Sequence, residues 1–214
     1  VHLNAMKLND EETQMVNNAF AFLDKSILKD YENLKKEKSL NKNYIVSDFE
    51  LEYLYLRSFY PELKYSNELR EPVRFFTEQA QKWEKQDLYN KGMTAILMHH
   101  IGKENIASNI LDWLMKTATQ SDEMGMYWAN NRFDNNFFAS LIDVHCMLMD
   151  AFQEIRPDTK RTNSMKQWLL NQKRTQDWNS SIENVDAIYS LLLTGSNWLG
   201  ENNQCVATYG NKSY

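Results

Sequence analysis

Residues 125–155 read GMYWANNRFDNNFFASLIDVHCMLMDAFQEI, residues 156–158 break the pattern with RPD, and residues 159–199 read TKRTNSMKQWLLNQKRTQDWNSSIENVDAIYSLLLTGSNWL. Apolar positions recur at three- and four-residue intervals in three runs, each closed by turn chemistry, which predicts helices joined by short connections. The third run restates the first: in both, an apolar helix rich in small residues follows an aromatic, Asn-rich loop. Restatement marks a repeat architecture, in which one unit buries its apolar face only against the next.

The pattern extends upstream. Asn9, followed by acids, caps a first helix running through about Lys36, with Val16, Ala19, Phe20, Leu23, Ile27 and Tyr31 on one stripe. Ser47 and Glu50 make a capping box for a second helix that stops before Pro61. Ser66 or Asn67 opens a third, with Pro72 near its start and Val73, Phe76, Ala80 and Trp83 at helical spacing. Asp87 opens a fourth, LYNKGMTAILMHHI, apolar around most of its circumference and closed by Gly102. A one-sided fifth, ENIASNILDWLMKTAT, carries Ile106, Ile110, Trp113 and Leu114. The sixth, NFFASLIDVHCMLMDAF, is again mostly apolar, and the seventh, NSMKQWLLNQ, is amphipathic. Ser180 and Glu183 cap an eighth, VDAIYSLLL, which ends at Gly195. Even-numbered helices are therefore expected on the inside and odd-numbered ones outside. The expected fold is all-α, an α/α toroid or an arc of one built of antiparallel helical hairpins over residues 1–199, with residues 200–214 as a tail.

Composition agrees. Only six Gly and three Pro occur in 214 residues, and strand-like alternation is nearly absent. A net charge of −5 argues against a nucleic-acid partner, because phosphate binding needs a concentrated basic surface. The densest basic cluster, residues 35–38, is mixed with acid at a helix end and reads as a solvated face. No run of about 18 apolar residues encodes a membrane span, and the first residues lack the basic and apolar regions of a signal peptide. Val1 without Met suggests an excised piece of a longer chain.

GMYW at 125–128, MKQWLLNQKRTQDW at 165–178 with the helix after it, and LEYLYLRSFYPEL at 51–63 resemble the bacterial alpha-2-macroglobulins, in the helical toroid called the thioester domain. The resemblance covers nearly the whole chain up to about Leu199. It implies a ring that closes with six hairpins, of which four are present, and a following β-domain beginning in the tail. It also implies an extracytoplasmic, lipid-anchored parent that traps attacking proteases by collapsing after its bait is cut. Neighbouring β-domains would be the direct partners and target proteases indirect ones.

The family's reactive group is a thioester between the Cys and Gln of a C-x-E-Q motif. Here Cys146 is followed by MLM and Cys205 by VAT, while Glu78 and Gln79 are preceded by Phe76 and Thr77, so this segment carries no such motif. His99 and His100 are adjacent and diverge by about 100° on a helix, so with His145 and Cys146 they read as core or surface residues; no metal and no cofactor is expected. Met93, Met98, Met147 and Met149 read as packing of the inner helices. A carbohydrate-active toroid is the rival reading, with Asp122, Glu123, Asp134 and Asp177 as loop acids, and a plain interaction scaffold is another. Long connections at 35–44, 121–135 and 173–179 should share one end of the toroid. That end places Tyr127, Trp128, Asn130, Asn131, Asp134 and Trp178 as the candidate binding residues.

Overall fold

Four helices open on the caps that their sequence signals, because a helix N-terminus leaves backbone N–H groups that a nearby side-chain oxygen can accept from. Asn9 and Glu12 box the start of α1 (Asp10–Lys36), and Ser47 with Glu50 boxes α2 (Asp48–Ser58). Asp87 accepts from the Asn90 N–H to start α4 (Leu88–His100), and Ser180 with Glu183 boxes α8 (Ser181–Leu193). Between these lie α3 (Arg70–Ala80), α5 (Glu104–Thr117), α6 (Leu141–Ile155) and α7 (Thr159–Thr175). The computed structural model describes residues 9–129, 140–175, 178 and 180–194, without the Thr175 side chain, together with the backbone of two short strands near the C-terminus. The protein is mostly helical, and no helix among the described residues is long and apolar enough to cross a membrane.

Several boundaries depart from expectation. A 3-10 turn, Asn67–Leu69, precedes α3, and Pro72 sits in that helix's first turn, where its missing N–H costs no bond. α3 ends at Ala80, so Trp83 belongs to a separate 3-10 turn. The sixth helix opens at Leu141, later than predicted, because Ser140 and Asp143 form a capping box there. The seventh opens at Thr159, earlier than predicted, where Asp158 accepts from the Arg161 N–H at 2.7 Å. The largest departure lies at the start of the expected 121–135 loop: the fifth helix ends at Thr117, short of its expected end at Thr119, and β1 (Thr119–Ser121) and β2 (Gly125–Tyr127) form an antiparallel hairpin. In the tail, β3 (Thr208–Tyr209) pairs with β4 (Lys212–Ser213). Gly195 lies outside the described residues.

Helix α2 packs on α4, α4 on α6, and α6 on α8; α3 lies against α2, α5 against α4 and α6, and α7 against α6 and β2. Residues 90–98 of α4 and 142–149 of α6 are buried without interruption, as helices covered on every side must be. Gly92 lets these two approach: a Cβ there would stand 2.7 Å from Met147 Cγ. α1, α3, α5 and α7 each bury one stripe; on α1 it consists of Phe20, Ile27 and Tyr31, with Val16 and Leu23 half-buried and Ala19 exposed. α1 is fastened to α2 by Asp24, which accepts from Arg57 at 3.1 Å and from the Tyr53 hydroxyl at 2.7 Å. α8 departs from its expected inner place. It buries only Glu183, Ala187 and Ser190, while Ile182, Val185, Ile188, Leu192 and Leu193 are exposed. Its apolar circumference matches an inner helix, but among the described helices only α6 packs closely on it.

Candidate functional site

The GMYW segment forms a joint between α5, α6 and α7. Gly125 has φ +80°, and a Cβ there would lie 2.1 Å from the Ser164 carbonyl oxygen, so only glycine lets the hairpin meet the α7 backbone. From the other side, Gln167 Nε2 donates to the Asp122 and Glu123 carbonyls at 2.8 and 2.9 Å, and Asn171 Nδ2 donates to Glu123 at 3.0 Å. Tyr127 is half-buried and stacks on Trp168 of α7, with ring centroids 6.1 Å apart. Trp128 is 5% exposed; it stacks on Phe152 and donates its indole N–H to the Leu114 carbonyl at 3.0 Å. The indole therefore seals the core between α5 and α6 and offers little surface to a ligand. Trp178 is half-buried and packs on the same core, with the Lys173 ammonium 5.0 Å above its ring. Asn130, Asn131, Asp134 and Asp177 lie outside the described residues. Of the loop acids, Asp122 and Glu123 sit in the hairpin turn, where α7 holds their carbonyls.

The structure brings a different set of acids together. A cavity of about 290 Å³ lies between α2, α4, α6 and α8, with Glu52, Asp143, Asp150, Asp186, Tyr55 and Tyr89 among its lining residues. Burial raises the carboxyls of Glu52 and Asp143, and nearby acids, Asp48 and Asp186 respectively, add to it. The sequence carries one signal of this site: Asp143 and Asp150 interrupt the mostly apolar run of α6 and lie two turns apart, on one face. The other half comes from α2 and α8, whose relation to α6 no local pattern encodes.

Compared with known protein families, curated proteins and solved structures, the chain matches none. Its chemistry is read from its own residues.

The histidines serve separate neighbours. His99 pairs with Glu104 at 2.9 Å, whereas His100 bonds Ser58 at 2.7 Å and also contacts Glu154. His145 is wholly enclosed between Trp128 and Trp168 and bonds the Met165 carbonyl through Nε2 at 3.0 Å, which requires that nitrogen to carry the proton. Cys146 is buried, and burial pushes its thiol up, away from the reactive thiolate. Among the described residues no group of three or more His, Cys, Asp and Glu is placed to hold a metal.

Enclosure pulls His145 down from 6.5 to about 4, since a buried imidazolium loses its hydration. The unfolded chain therefore takes up this proton near pH 6.5 and the folded one only near pH 4, so stability is present above that window and falls as pH falls through it. The expected loss is about 3 kcal/mol. The raised carboxyls of Glu50, Glu52 and Asp143 act oppositely, because the folded state binds their protons more readily. Urea unfolding from pH 7.5 to 4 should show the wild type losing about that much relative to His145→Gln, whose amide still donates to Met165. Parallel pH curves for the two proteins would show that His145 is not held neutral.

Proposed function

We propose that this chain is part of the thioester-type helical toroid of an alpha-2-macroglobulin-like protein, serving as a packing domain in protease trapping and not as a catalyst. The supporting observation is that two of the segments carrying the resemblance lock onto one another. Gly125, Tyr127 and Trp128 of GMYW meet Ser164, Trp168 and, through His145, Met165 of the MKQW helix. A joint of this kind constrains several separated residues at once. The succession α2, α4, α6, α8, with odd-numbered helices outside, supports an arc of antiparallel hairpins, and the open apolar face of α8 is the surface that a next hairpin of a ring would cover.

On this reading the segment carries no thioester and acts through contacts with neighbouring β-domains of an extracytoplasmic, lipid-anchored parent. The hairpin end that presents the half-buried Tyr127, with Trp128 filling the core beneath it, is the proposed docking end. The test is a trapping assay on the whole protein that carries this domain. A caged protease should still turn over a small chromogenic peptide while losing activity on a macromolecular substrate; equal activity on both would overturn the reading. The carbohydrate-active alternative draws on the four carboxylates of the cavity. A panel of glycosides separates the two, and turnover abolished in Glu52→Gln would replace protease trapping with glycoside hydrolysis.

A further inference from the structure

Helix α8 presents two unlike surfaces. Glu183, Ala187 and Ser190, spaced by four and three residues, form its buried side, and α6 packs on the helix. On the opposite side Ile182, Val185, Ile188 and Leu192 recur at three- and four-residue intervals with Leu193 beside them, and each is at least half exposed. The result is an apolar seam about three turns long. Seams of this spacing are filled by a second helix whose own apolar residues enter the gaps.

Charge selects the helix that fits. Asp186 follows Ile182 by four residues and precedes Leu193 by seven, which sets it at the edge of the seam; it also precedes Ser190 by four, and both line the cavity between α2, α4, α6 and α8. Ser190 Oγ donates to Asp150 at 3.3 Å, so an acid of α6 adjoins the same flank. Burial pushes the Tyr89 phenol up, and the charges of Asp186, Glu52, Asp143 and Asp150 push it further, so the four acids converge on one hydroxyl there. α8 contains no Lys, Arg or His, and Lys166 of α7 is held at the Thr194 carbonyl beyond its C-terminal end. The other flank of the seam on α8, Asn184 and Leu191, is uncharged. A second copy of this chain would bring the same acids to the seam, where like charges oppose pairing. We propose that the helix covering α8 is amphipathic with Lys or Arg along one flank and comes from the next hairpin of the parent ring, its apolar residues entering between Ile182, Val185, Ile188 and Leu192 and its basic flank lying along Asp186. The source of that helix rests on the toroid reading above; the charge pattern required of it does not.

Titration calorimetry of the whole chain with two synthetic helical peptides of about 20 residues tests it; both carry Leu along one face, flanked by Lys in one and by Glu in the other. The Lys peptide should bind at least about tenfold more tightly at low salt, and the gap should close as salt rises. Asp186→Asn should narrow the gap, whereas Glu11→Gln, the same loss of charge on α1, should not. Ile188→Ser, at an exposed position, should weaken both peptides while leaving the circular dichroism of the chain unchanged. Equal affinity for the two peptides, or affinity unchanged in Ile188→Ser, would overturn the proposal. So would a chain that sediments as a dimer and becomes monomeric in Ile188→Ser, because a second copy would then fill the seam. The whole protein that carries this domain should not bind the Lys peptide, since its own hairpin covers α8; binding there would assign the seam to a separate partner and overturn the source. Preference for the Lys peptide in a protein that traps no protease would remove the trapping reading alone, and trapping without that preference would remove this proposal alone.

Discussion

Gly125→Ala should destabilise the protein by roughly 3–5 kcal/mol, enough to unfold a marginal domain. Two costs combine at this position. The backbone is held at φ +80°, where a Cβ crowds its own chain, and the added carbon would meet the Ser164 carbonyl oxygen at 2.1 Å and Gln167 Cβ at 3.1 Å. The first obstacle is backbone in the middle of α7, so no rotamer change relieves it. Gly102 supplies the control: it has φ +75°, and a Cβ there would meet nothing within 4 Å, so Gly102→Ala bears the dihedral cost alone. That cost is about 1–2 kcal/mol. Urea unfolding of both variants gives the difference directly. If Gly125→Ala is no less stable than Gly102→Ala, the hairpin does not approach α7 as closely as described.

The contrast between these glycines shows what a sequence can convey. Gly102 is legible because its role is local: its N–H bonds the His99 carbonyl, the Lys103 N–H bonds Met98, and both sit at the end of an obvious helix. The caps at Asn9, Ser47, Asp87 and Ser180 are legible for the same reason, since each involves residues three apart. Gly125 owes its necessity to Ser164, far along the chain, and strands of three residues give too short a run for alternation to register. The apolar circumference of α8 is plain as a pattern, but a pattern does not say which neighbour covers it. The acidic cavity is hidden in the same way. Glu52, Asp143, Asp150 and Asp186 lie on three helices, and only the packing of α2 and α8 about α4 and α6 turns them towards one space.

Trp128 is expected from sequence at a binding end, and its burial leads to a sharper expectation. Trp128→Ala should cost about 3–5 kcal/mol, because it removes the side chain that fills the space between α5 and α6. The ring stacks on Phe152 at 6.3 Å with planes 18° apart and stands edge-on to His145 at 6.1 Å. Trp128→Phe keeps much of that volume and removes the indole N–H. The Leu114 carbonyl would still accept from the Ala118 N–H at 3.1 Å and from the Thr117 hydroxyl at 3.2 Å, so the loss should be about 1 kcal/mol. Truncation has a second consequence that a loss of packing elsewhere in the core would not share. Opening one side of the pocket admits water to His145, whose depressed pKa rests chiefly on its enclosure. In Trp128→Ala the His145 imidazole, followed by NMR, should titrate well above 4 and towards 6.5, whereas in Trp128→Phe it should stay low. An imidazole that titrates identically in both variants would mean that Trp128 does not seal it, and the joint between GMYW and α7 would lose its central contact.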